Sequence, residues 1–135
     1  MADTLDIRIS GSPEYIKIAK TAVGQLATTA GGGMDAVKDV QTAVGEACRI
    51  ITCHGRPCWC ETVRVICNVE DGVLTATIQE DEHGRTLEKD DVHRCLDCPG
   101  EGDLGIVLME HIMDNVEIVR ADSGCRKIKI TKTLS

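Results

Sequence analysis

The hydrophobic residues of this chain change their spacing along its length, and that change restricts the fold more than any other feature. From residue 13 to about 53 they recur every three or four positions, the period of α-helices with one apolar face. Ile16, Ile18, Ala19, Ala22, Val23 and Leu26 stripe a first helix; Val37, Val40, Val44, Ala47, Cys48 and Ile51 stripe a second. From 62 to 69 and from 73 to 81 the pattern becomes β-branched and alternating, and the two runs flank Asp71-Gly72, a pair suited to a tight hairpin. Such a switch, helices first and then paired strands, excludes an all-helical bundle and an all-β sandwich.

The ends of these elements are also written in the sequence. Ser12, Pro13 and Glu14 predict a helix start: a side-chain cap, a proline where no amide donor is missed, and an acid facing the positive helix end. Gly31, Gly32 and Gly33 end that helix near Ala30, and the second runs from 35 to about 53. Leu5, Ile7 and Ile9 mark a first strand over 4–9. Leu104, Leu108, Ile112 and Met113 mark a third helix ending near Asn115, and strands at 116–119 and 127–134 flank a turn at 121–124. Residues 82–101 are charged and irregular, with the character of a long loop, a length often used for lids and binding elements. The expected architecture is α+β, a two-layer sandwich in which helices cover one face of a mixed β-sheet. No internal repeat or linker divides it, so one domain over 1–135 is expected, with a cysteine-containing lid at about 82–101.

Composition narrows the possibilities further. Hydrophobic residues make up 42% of the chain but aromatic residues only 1%, so the core must be aliphatic. A formal charge of -7, with no long basic run, argues against direct binding to nucleic acid. Residues 1–10 lack the basic start and apolar stretch of a signal peptide, and no segment reaches the roughly 18 apolar residues of a membrane span. The expected location is the cytosol, and no membrane partner is expected.

Gly102 and Gly105 stand where the long loop meets the third helix. Glycine there lets backbone amides approach an anion at a helix N-terminus, where free N–H groups and the helix dipole favour phosphate. A plain loop-to-helix turn is the competing reading. The stretch Glu101 to Glu117 resembles the second glycine box, and the following helix, of anti-sigma factor serine kinases in the GHKL (Bergerat-fold) ATPase superfamily. Val44 to Gly55 resembles that family's N-box, in which a Glu is followed four residues later by Asn and then by His-Gly. Glu46, His54 and Gly55 match it, and Ile50 stands in the place of the Asn.

The resemblance implies ATP or ADP as ligand, held with magnesium, with Gly102 and Gly105 at the phosphates and Glu46 as general base. It implies an adenine contact at the end of the strand Leu74 to Ile78. Continuing the alternation puts Glu80 and Glu82 where the family has Asp and Gly; Asp81 serves only if the register shifts by one, which turns every side chain over. A solvated acidic loop is the alternative for this stretch. Ile50 cannot coordinate magnesium, which demands oxygen ligands. By the same resemblance the partners are a sigma factor or an anti-anti-sigma protein, and the assembly is a homodimer.

Eight cysteines in a chain expected in a reducing compartment call for something other than a disulfide framework. If Val69 pairs near Val73, Glu61 falls near Asp81, which sets Cys58 and Cys60 beside the loop carrying Cys95 and Cys98. Four thiolates there would suit zinc or an iron–sulfur cluster; reduced structural or redox-active thiols are the alternative. Cys48 and Cys67 occupy apolar periodic positions and are expected in the core. These readings support three functions: an anti-sigma factor-like regulatory protein with altered ATP-binding motifs and a cysteine-based metal or redox site; an active serine kinase working through Glu46; or an accessory protein of a redox or iron–sulfur system.

Overall fold

A computed structural model describes residues 3–52, 62–80, 104–120 and 126–134. In chain order its elements are β1 (Asp3–Ser10), α1 (Pro13–Thr29), α2 (Met34–Thr52), β2 (Thr62–Glu70), β3 (Val73–Glu80), α3 (Leu104–Ile112), β4 (Asn115–Arg120) and β5 (Arg126–Thr133). The strands form one sheet in the order β1-β2-β3-β5-β4. Residues of alternate parity point to the helices: Val63, Val65 and Cys67 on β2, Leu74, Ala76 and Ile78 on β3, and Ile128 and Ile130 on β5, all fully buried. The opposite face carries Arg64, Thr75, Thr77, Lys127 and Lys129, half-buried or exposed. This period of two is what the sequence predicts.

The two-layer α+β arrangement is as expected, but the sheet is antiparallel in all four pairings rather than mixed. β3 and β4 do run in the same direction, being each antiparallel to β5. A mixed sheet would need them as neighbours, joined through α3. Instead β5 turns back and inserts between them, giving a split crossover in which no parallel pair forms.

Local chemistry explains most of the boundaries. At the β2–β3 turn, Asp71 and Gly72 both take positive φ, 53° and 74°, the geometry of a two-residue hairpin whose twist matches its strands. Because Glu70 closes on Val73, Val69 pairs with Leu74 rather than Val73. At the start of α1, Ser12 holds the cap position in an extended conformation but makes no side-chain cap bond. Its carbonyl accepts the amides of Tyr15 and Ile16, each at 3.0 Å, so the first-turn donor that a serine hydroxyl would serve is already bonded. Gly31, at φ 94°, ends α1; the Gly32 amide donates to Ala27 at 2.8 Å and the Gly31 amide to Thr28 at 3.0 Å, a Schellman closure. α3 stops at Ile112, short of the expected Asn115, because the Asp114 amide leaves the helix to donate to Thr131 of β5 at 2.9 Å.

Both α1 and α2 lie on the sheet, and α3 packs on α2. The fully buried large side chains are Leu, Ile, Val and Met together with Cys48, so among the described residues the core has no aromatic ring; Tyr15 stands 47% exposed on α1. Each fully buried aliphatic residue contributes roughly 1.5–3 kcal/mol relative to exposure. Cys48 and Cys67 are in this core as expected, and burial pushes the Cys67 thiol up to about 12, away from reactivity. Among the described residues, no helix is long and apolar enough to cross a membrane.

Candidate functional site

α2 carries its apolar residues on the faces turned to α1 and the sheet, with Val40, Ala43, Val44, Ala47 and Cys48 fully buried. That orientation sends Glu46, Arg49 and Ile50, at spacings of three and four residues, along another side of the helix. Glu46 keeps 24% of its side chain exposed and Arg49 43%. The Arg49 guanidinium donates to Glu46 Oε1 at 3.1 Å and Oε2 at 3.4 Å. A pair this exposed adds only about 0.3–0.5 kcal/mol to the helix, so its significance lies in where it holds the carboxylate.

α3 reaches this point through Met109, its one fully buried residue, with Ile106 and Ile112 partly buried beside the core. The first turn of α3 presents Gly105 to α2. A β-carbon built on Gly105 would lie 2.7 Å from Glu46 Oε2 and 3.6 Å from Ile50 Cδ1. The first distance is shorter than real contacts allow, so the absence of a side chain at 105 is what seats the carboxylate. Two residues singled out from separate motifs, Glu46 and Gly105, thus meet, with Ile50 beside them.

Ile50 is 7% exposed and forms part of the hydrophobic core. The residues described at this point do not fit magnesium: hydrocarbon stands where an oxygen ligand is needed, and the Glu46 carboxylate is engaged by Arg49. Glu80 ends β3 opposite Val63, on the same parity as the buried Ala76 and Ile78, and is half-buried. Asp81 and Glu82, the other two acids of this stretch, lie outside the described residues. Gly102, His54, Gly55, the 82–101 segment and the four cysteines Cys58, Cys60, Cys95 and Cys98 lie outside the described residues. Among the described residues, no group of three or more His, Cys, Asp or Glu side chains is placed to hold a metal ion.

Arg49 lies inside the Val44 to Gly55 stretch, but the sequence reading gives it no role, although Glu-x-x-Arg on a helix is a legible pairing signal. Lys132 of β5 is a second such residue: it donates to the Ile112 carbonyl at 2.6 Å and pairs with Asp39 of α2 at 3.1 Å. It caps the C-terminus of α3, where a cation is favourable, and ties that helix to α2 and the sheet. Just beyond, the Thr133 amide donates to Asp114 at 2.6 Å, and bonding to Thr133 holds the Asp114 carboxyl below its ordinary value.

In this α+β sandwich α2 and α3 bring Glu46 against Gly105, and comparison with known proteins assigns the fold to a family. The profile of the histidine kinase-like ATPase domain matches residues 9–132, and the chain belongs to that family. It is similar to serine-protein kinase RsbW of Bacillus licheniformis, 29% identical over 145 residues that cover 99% of this chain and 88% of that protein. It is also similar to serine-protein kinase RsbW of Bacillus subtilis strain 168, 26% identical, with 87% of this chain and 78% of that protein covered. Among solved structures, its fold matches the crystal structure of the RsbU and RsbW domains of a Mycobacterium tuberculosis protein, with a TM-score of 0.69 at 14% identity. That match covers 98% of this chain but 32% of the other, so the chain spans about a third of that longer protein.

Proposed function

We propose that this chain is an RsbW-like regulatory protein that binds a sigma factor or an anti-anti-sigma antagonist, and whose nucleotide site has lost its magnesium ligand. The relatives named as RsbW kinases, which cover nearly all of the chain, support the class. The observation that carries the loss is Ile50, buried at 7% exposure beside Glu46 and Gly105. In this reading ATP or ADP sits with its phosphates near Gly102 and Gly105 and its adenine toward Glu80. When bound in such a family site, magnesium neutralises charge on the transferring phosphoryl group. Without an oxygen ligand at position 50, phosphoryl transfer is slow, and control of the partner rests on binding.

The test is a mixing experiment with purified sigma factor and antagonist, following complex formation by gel filtration and phosphate transfer by radiolabel. A stable complex without labelled antagonist is the expected result. Magnesium-dependent labelling that disappears in Glu46→Ala would replace this reading with an active serine kinase, which the retained Glu46 favours. The same resemblance supports a homodimer in the cytosol, and light scattering of the purified chain checks the dimer. A metal or redox site at Cys58, Cys60, Cys95 and Cys98 is supported by the spacing of those residues alone. Stoichiometric zinc or iron that vanishes in Cys58→Ser and Cys98→Ser variants is its check.

A further inference from the structure

A nucleotide di- or triphosphate brings several negative charges, and a site that holds it must supply positive charge. At the meeting of α2 and α3 the position that the N-box resemblance implies for a magnesium ligand is a buried isoleucine, and the facing carboxylate of Glu46 adds a further negative charge. Among the described residues, Arg49 is a cation on this side of α2. It is three residues from Glu46, adjacent to Ile50, and its guanidinium lies 3.1 Å from the carboxylate seated against Gly105. With 43% of its side chain exposed, it can be reached by a ligand. A guanidinium presents a planar fork that matches phosphate oxygens, whereas a metal ion would need an oxygen ligand at position 50, where Ile50 offers none.

We propose that Arg49 takes the place of the magnesium ion, binding the nucleotide phosphates directly, so that this chain holds nucleotide without a divalent metal. The proposal rests on the nucleotide-binding reading above and adds the residue and the metal independence. In the ligand-free state the guanidinium is held by Glu46. On binding, the phosphates compete with that carboxylate for it, and Glu46 then opposes the ligand by its charge. Neutralising Glu46 should therefore tighten binding, whereas a Glu46 that coordinates a metal bridging the phosphates would give weaker binding when neutralised.

The experiment is calorimetric titration of the full chain with ATP, once with magnesium and once with EDTA. Binding in EDTA as tight as with magnesium is expected. Arg49→Met, which keeps the apolar stem, should weaken it roughly tenfold or more, as loss of a charge-assisted phosphate contact does. Arg49→Lys should recover part of that loss, and Glu46→Gln should bind more tightly than the parent; unchanged thermal melting of these variants controls for folding. Binding that appears only with magnesium, or that Arg49→Met leaves intact, overturns the assignment of Arg49 while leaving nucleotide binding in place. Binding in neither buffer, by a chain that still captures its protein partner, overturns the nucleotide reading itself and this proposal with it.

Discussion

Where α1 meets α2, Gly24 and Gly45 leave room for the side chains of Gln41 and Lys20; where α2 meets α3, Gly105 leaves room for the carboxylate of Glu46. Both seams use a missing side chain on one helix to seat a polar side chain of its neighbour. They differ in how the seated group is satisfied. Gln41 lies across Gly24 and donates to the Lys20 carbonyl at 3.2 Å, a part-buried bond closed within the fold. Glu46 is paired instead with an arginine whose side chain is 43% exposed, within reach of a ligand. One seam is sealed and holds the helix layer together, and the other is open to exchange. In the proposed reading, the same packing device serves stability in one place and ligand chemistry in the other.

The contrast breaks most severely through Met109, the buried anchor of the open seam. Met109→Ala should cost about 2–5 kcal/mol in chemical denaturation and weaken nucleotide binding as α3 loosens. Gly24→Val should cost about 1–3 kcal/mol by overpacking the sealed seam against Gln41, with nucleotide affinity in calorimetry unchanged. Gly105→Ala should do the opposite. The clash is with the end of a flexible side chain and alanine favours the helix, so stability should stay within about 1 kcal/mol of the parent while Glu46 is pushed from its seat. Its readout is the same denaturation curve set beside ATP titration, in which affinity changes.

The smallest effect is expected far from both seams, at the β1–β2 edge. Arg64 donates to Asp6 at 2.9 and 2.6 Å, and that bond holds the Asp6 carboxyl below its ordinary value of 3.8. A depressed carboxylate stabilises the folded chain above the unfolded value, and the contribution is lost as pH falls through the lower folded one. Thermal melts between pH 5 and about 2 should therefore fall less steeply in Asp6→Asn than in the parent, with the parent's advantage gone at the acid end. Nucleotide affinity at neutral pH should be the same in both.

Much of this fold is legible in the sequence because burial follows period. The stripe from Val40 to Ile51 gives α2 within a residue or two, and the alternation around Asp71-Gly72 gives the β2–β3 hairpin. What periodicity cannot carry is strand order: insertion of β5 between β3 and β4 leaves each strand's pattern unchanged, so an antiparallel sheet reads the same as a mixed one. Helix ends depend on competition for single donors, as at Ser12, whose carbonyl serves the first turn, and at Asp114, whose amide goes to β5. The meeting of Glu46 with Gly105 needs the motif resemblance as well as helix spacing, since nothing local links residues so far apart in the chain. The pairing of Arg49 with Glu46 is legible from their spacing of three, but not that the carboxylate is seated against Gly105, and that contact is what sets Arg49 apart.

The most direct test of the open seam is the amide chemical-shift map of the isotopically labelled chain as ATP is added in EDTA. The account predicts shifts concentrated at Glu46, Arg49 and Gly105, with Gly24, Gln41 and Gly45 of the sealed seam unmoved. Shifts that appear only after magnesium is added, or that centre on the sealed seam, would contradict it.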